Sequence, residues 1–109
     1  MKKETFIQGK TFGFADSIEY SEAAIVSKTI IKNTQGNVSL FAFDKGEELS
    51  EHTAPFDALV QIVDGVAEII LDGQTSVLEE NESIIMPAHV PHALKARERF
   101  KMVLTMIKE

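Results

Sequence analysis

An all-β fold is predicted by three observations in this 109-residue chain. Short segments rich in β-formers recur about every 8–12 residues with turn signals between them, the spacing of a sandwich or barrel. β-branched residues crowd those segments: Ile25, Val26, Thr29, Ile30 and Ile31 fall in one short stretch, where they suit a pleated surface better than a helix. Helix has only one weak competitor. It would open at Ser21 with Glu22 in its first turn, and it runs straight into that β-branched stretch.

Taken in order, residues 1–23 are mixed, with Phe12 and Phe14 flanking Gly13 and Phe6-Ile7 before them. They are expected to form an edge strand or arm that packs over the end of a barrel made by residues 24–109, the whole being one domain. The first barrel strand spans 24–32. Asn33-Thr34-Gln35-Gly36 turns the chain into a second strand at 37–43, and Lys45-Gly46 ends it. A short strand at 49–53 stops before Pro55, and 58–63 resumes. Asp64-Gly65 and Asp72-Gly73 bracket a strand at 66–71. Both dipeptides favour the positive φ of tight hairpins and bulges. Strands at 75–78, 83–86, 92–95 and 100–107 follow, with a proline-bounded loop at 87–91.

Composition closes off several classes of function. A chain of this length buries roughly two-thirds of its unfolded surface and needs no staples. It has no cysteine, so disulfides, thiolate metal sites and a cysteine nucleophile are excluded. Its net charge of -6 argues against nucleic acid, which requires a concentrated basic surface. Lys2 and Lys3 are not followed by the apolar run of a signal peptide, and no stretch approaches the ~20 apolar residues of a membrane span. A cytoplasmic protein without membrane or nucleic-acid partners is expected. The segments 40–43, 59–63 and 102–107 are apolar on both strand faces. The outward face of such strands needs cover, from a second copy in a homodimer or from residues 1–20.

All three histidines and all three prolines lie in two windows, Glu51-His52-Thr53-Ala54-Pro55 and Pro87-Ala88-His89-Val90-Pro91-His92. Both lie at strand ends. Imidazole is the commonest metal ligand and the side chain that titrates near neutrality, and prolines beside it limit the entropy lost on binding. The competing reading is three rim histidines on loops. Elsewhere the chemistry is thin. There is no Gly-x-Ser-x-Gly elbow. Glu79, Glu80 and Glu82 read as a solvated turn, the basic run Lys95 to Lys101 as edge-strand charge, and Met86, Met102 and Met106 as lining or core.

These windows resemble the two motifs of the cupins, small antiparallel jelly-roll β-barrels. Gly46, His52 and Gly65 fit the frame of the first motif, G-x5-H-x-H-x(3,4)-E-x6-G. Pro87 and His92 fit the second, G-x5-P-x-G-x2-H-x3-N. The resemblance covers roughly residues 38–107 and implies a short single-domain cupin. It also implies a divalent metal (Zn, Ni, Fe or Mn) held by two histidines and a glutamate of the first motif with the histidine of the second. Here the second histidine position is Ala54 and the glutamate position Ala58, so His52 and His92 are what remains of that set. Asn81 and His89 stand where the family has glycines, and Ala96 where it has asparagine. Asparagine and histidine both tolerate a left-handed backbone.

His89 is either a third metal ligand or a turn residue at the mouth. Asp57, Glu51 and Gln61 are poor substitutes for the lost glutamate, because strand alternation aims them away from the inward set. That set is expected to be Ala54, Ala58, Val60 and Ile62 beside His52 and His92, with Leu94 opposite. Small alanines there leave room, so a mostly apolar cavity with two convergent imidazoles is expected, suited to a small, weakly polar ligand. Three readings follow: a small-molecule-binding barrel with an optional metal; a metal-dependent enzyme of the isomerase, dioxygenase or decarboxylase kind with a recruited third ligand; and a barrel simply filled by side chains.

Overall fold

The computed structural model describes residues 6–108. Among these residues nine strands form two antiparallel sheets that close into a jelly-roll β-barrel. One sheet has the order β1 (Ile25–Asn33), β2 (Gly36–Phe43), β9 (Phe100–Lys108), β4 (Phe56–Gly65) and β7 (Ser83–Met86). The other runs β3 (Glu48–His52), β8 (His92–Lys95), β5 (Ala67–Leu71) and β6 (Gln74–Leu78). Among the described residues no helix is long and apolar enough to cross a membrane.

Inner faces alternate as the sequence pattern requires. Ala58, Val60 and Ile62 of β4 and Phe100 and Met102 of β9 are buried between the sheets, with Ala67 and Ile69 of β5 and Leu94 of β8 facing them. Phe43 and Phe100 are register partners, and their rings stack at 4.5 Å within the core. At the β5–β6 hairpin Asp72 and Gly73 both take positive φ, 50° and 80°. That is the primed turn such a dipeptide favours. Asp64-Gly65 has a different role. A register shift between Ile62 and Asp64 bulges β4, and the chain leaves one sheet for the other just after Gly65. Gly65 has φ 77°, and a Cβ there would collide with the Arg99 carbonyl.

The N-terminal expectation needs correction. Among the described residues, 6–24 contain no strand. Their one regular element is a 3₁₀ turn, Ala15–Ser17. The arm also does not cap the barrel's end; it lies on the outer face of the five-stranded sheet. There Ile18, fully buried, joins Leu40, Ala42 and Val103 in a second apolar cluster, with Tyr20 against it. Polar contacts hold the arm in place. Lys101 donates to the Ala15 carbonyl at 2.6 Å, Lys28 to the Ser17 carbonyl at 2.9 Å, and the Tyr20 hydroxyl to Asp64 at 2.6 Å. Burial, then the Asp64 bond, pushes the Tyr20 hydroxyl pKa up, so it stays a donor. The physical reason is that side chains of β2, β9 and the arm satisfy one another without backbone pairing. Chain cover thus accounts for part of the doubly apolar sheet. Ile85 and Ile107, on the far part of the same face, remain 63% and 60% exposed.

Candidate functional site

His52 ends β3 and His92 opens β8. The two are register partners, and their Nε2 atoms lie 3.1 Å apart. Each ring is fixed from behind. His52 Nδ1 is 2.8 Å from the Ser50 carbonyl and His92 Nδ1 is 3.0 Å from the Val90 carbonyl. His52 is exposed, whereas His92 is 7% exposed. The pair therefore stands at the mouth of the barrel, with one ring outside and one inside.

Below the pair the sheets part around a cavity of about 70 Å³. Its wall is apolar apart from the two imidazoles: Ala54 and Ala58 on one side, Leu49 and Leu94 near the rings, and Phe41, Phe56 and four longer chains, including Met86, Met102 and Met106, behind. Leu49 and His52 are three residues apart, which in a regular strand sends them to opposite faces. A bulge between them in β3 turns both toward the cavity. On β4 the spacing is regular, so Phe56 and Ala58 share a face.

The loop that delivers His92 is tied down. The His89 N–H donates to the Ala54 carbonyl at 2.8 Å, the Ala88 N–H to the Asp57 carboxylate at 2.9 Å, and the Asp72 N–H to the Pro91 carbonyl at 2.8 Å. Asp57 thus serves the loop rather than the cavity. Asn81 and His89 take φ of 74° and 68°, so the turns that glycine would ease are kept by residues that tolerate them.

Of the residues expected at the site, the structure brings His52, His92, Ala54 and Ala58 together around the cavity. Val60 and Ile62 share the inward face but are fully packed deeper in the core, and they do not line the cavity. His89 is also elsewhere: it is exposed in the left-handed turn of the loop and outside the lining. Leu49, Phe56 and Leu104 were missed. Parity with Ala58 and Met102 would have found the last two, whereas Leu49 depends on the bulge.

Two nitrogens bonded to one ion at 2.0–2.1 Å and near a right angle lie about 3 Å apart, which the imidazole pair matches. A zinc site that does chemistry nevertheless uses three protein ligands. Among the described residues no group of three or more His, Asp or Glu side chains is placed to hold an ion. The rest of the wall is hydrocarbon and thioether. The residues present do not fit a resident divalent metal.

Comparison with known proteins agrees with this architecture. The family model of the Cupin domain matches residues 39–108. A conserved protein of unknown function from Streptococcus pyogenes is 33% identical and superposes with a TM-score of 0.91, covering 97% of this chain and 93% of that one. A cupin superfamily protein from Desulfitobacterium hafniense is 29% identical with a TM-score of 0.90 over the full length of both. A Cupin 2 conserved barrel domain protein from Leptotrichia buccalis is 40% identical with a TM-score of 0.86, covering 89% of this chain and 47% of that one. A Streptomyces cyaneus protein named polyketide synthase CurC is 28% identical over 72 residues, 65% of this chain. The match spans 47%, about half, of that relative's length.

Proposed function

The chain belongs to the Cupin domain family, and from that membership we propose that it is a small-molecule-binding barrel whose ligand lodges against the His52–His92 pair. Cupin domains serve small-molecule or metal binding, and the donor set here favours the former. One observation carries the reading: a cavity of about 70 Å³ is left open in an otherwise packed barrel, walled by hydrocarbon and headed by two imidazoles. Protein interiors rarely leave such space without use. The ligand-contacting residues in this reading are His52, Ala54, Ala58 and His92. The proposed setting is the cytoplasm, in keeping with a cysteine-free chain.

Filling the cavity tests this directly. Ala58→Leu places three extra carbons in the space and leaves the imidazoles in place. Binding of small apolar fragments, read from the ε-methyl NMR signals of Met86, Met102 and Met106, is expected in the parent and lost in the variant, with folding retained. Fragments that leave those methyls unmoved in the parent would sink the reading. Elemental analysis of untagged protein beside a His52→Ala/His92→Ala variant checks the metal-dependent enzyme reading. Stoichiometric metal in the parent alone would restore it; equal trace amounts in both are expected.

We also propose a second copy of the chain as partner. It would cover the part of the five-stranded sheet that the arm leaves bare, around Leu59, Ile85 and Ile107.

A further inference from the structure

Outside the barrel, the arm and the edge strand β1 enclose a groove of about 540 Å³. That falls within the roughly 300–1,000 Å³ of small-molecule sites. Two local irregularities build it. On the arm, the Ile7 carbonyl accepts from the Lys10 N–H at 3.1 Å, and Gly9 takes φ 82° at the position where a type II turn requires a positive value. The turn sets Ile7 and Lys10 side by side on one wall. On the other wall β1 bulges. Thr29 faces Ser39 and Ile31 faces Val38, so Ile30 is an extra residue between them. A regular strand would send Ile30 and Ile31 to opposite faces. The bulge turns both toward the groove, and Lys32 follows them.

The lining is apolar with a cationic rim. Phe6 and Ile30 are half-buried against the cluster around Ile18 and form the floor. Ile7, Phe12 and Ile31 stand above it and are three of the seven large apolar side chains left exposed among the described residues. Phe12 meets Phe6 edge to face, with ring centres 4.9 Å apart. Lys10 and Lys32 carry the charge. Among the described residues no acid lines the groove, and neither ammonium has an ion pair or hydrogen bond. Lys28 and Lys101 differ: they donate to carbonyls of the arm and hold it down. Acids outnumber bases 17 to 11 in this chain, so two cations without an acid beside grouped hydrocarbon run against its composition. We propose that the groove binds a small amphipathic anion, an aliphatic carboxylate of medium chain length. Its hydrocarbon lies on Phe6, Phe12 and Ile31, and its carboxylate sits between Lys10 and Lys32. Two separate ammonium point charges at a wet rim match one solvated anionic head. The surface proposed for a second copy is centred on β4 and on β7, the opposite edge of the sheet, so the two occupants do not compete.

Octanoate, 1-octanol and octyltrimethylammonium share a tail and differ in the head. Each is titrated in low salt, below the concentration at which it aggregates. The readout is the NMR signals of the Phe6 and Phe12 rings and the δ-methyls of Ile7, Ile30 and Ile31. The ε-methyls of Met86, Met102 and Met106 report on the barrel cavity separately. Octanoate is expected to shift the groove signals and to bind about fivefold more tightly than octanol, the scale of two exposed ion pairs, with the cation weakest. That advantage shrinks at about 0.5 M salt, where exposed charges are screened. Hexanoate binds about fourfold more weakly than octanoate, because roughly half of each CH₂ is buried on an open groove. In Lys10→Glu/Lys32→Glu, which removes two side chains that tie down no other segment, the order of octanoate and octyltrimethylammonium reverses. Equal binding of octanoate and octanol to the parent would overturn the proposal. So would groove signals that none of the three moves, or methionine methyls that octanoate moves while Phe12 and Ile31 stay still. Groove signals that change with protein concentration alone would put a second copy there and overturn it as well.

Discussion

At the scale of single residues, the histidines were legible and their surroundings only partly so. His52 and His92 stood out because the three histidines fall in two proline-bearing windows at strand ends. Their convergence needed no more than two neighbouring strands. The error over Val60 and Ile62 has a simple cause. Strand parity tells which face a side chain is on; it does not tell how deep along the barrel the packing closes, and these two sit below the floor set by the longer chains around them. Asp44 was not singled out, because its role depends on a distant partner. Its carboxylate accepts from the Ala23 N–H at 2.8 Å and from Arg99 at 3.2 Å. The backbone bonds from Ala23 and Lys45, then Arg99, hold its pKa below the usual carboxylate value. A lowered folded-state pKa contributes stability that is present above the unfolded value and lost as pH falls through the folded one. Asp44→Asn is therefore expected to unfold at lower urea concentration than the parent at neutral pH. The gap should close in acid, below the ordinary carboxylate range. A gap that stays constant with pH would contradict this.

Among the elements, the nine strands were placed to within two residues at each end, because Gly, Pro, Asn or Asp punctuates most of the turns; the 96–99 connection, Ala-Arg-Glu-Arg, is the exception. The arm was not. Its Phe residues stood out, yet Phe12 and Phe14 are exposed; what holds it is buried Ile18 together with lysine, tyrosine and carbonyl contacts between distant segments, which no local pattern encodes. The β4 corner lies between these cases. Asp64-Gly65 was read as a feature with positive φ, and it is one, but its work is to bulge β4 and pass the chain between sheets. At Gly65 a side chain would meet both an unfavourable φ and the backbone of Arg99. Gly65→Ala is expected to cost roughly 2–4 kcal/mol, the range for strain at a special φ combined with a forced backbone shift. Gly73→Ala, where φ is also positive but nothing lies within 4 Å of the added carbon, should cost about 1 kcal/mol. Chemical denaturation of the two variants side by side separates strain from collision. Equal losses would mean that the close approach to Arg99 is absorbed by a small backbone movement.

For the whole molecule, the question raised by strands apolar on both faces divides in two. Around Leu40, Ala42 and Val103 the cover is intrachain: Ile18 and Tyr20 lie on them, and the polar contacts of the arm fix it there. Around β4, β7 and the end of β9 no part of the described chain does the same. Leu59 pairs with Ile85 on one side and Thr105 on the other, and Ile107 lies one step along the same face. Leu59, Ile85 and Ile107, two of them 60% or more exposed, share this outer face with Asp57 and Thr105, and it is the surface proposed above for a second copy. Two such faces are self-complementary about a twofold axis, the commonest closed arrangement of identical chains. The parent is thus expected to run as a dimer in multi-angle light scattering. Ile85→Asp sets a carboxylate at the centre of the patch, where burial without a partner is unfavourable, and should give a monomer. The fold should survive, since Ile85 makes little contact within its own chain, and ligand binding should survive because the cavity lies on the inner face of the same sheet. A monomeric parent would mean that the bare face serves another partner. A variant that loses both assembly and binding would instead tie the cavity to the interface, making the second copy part of the site.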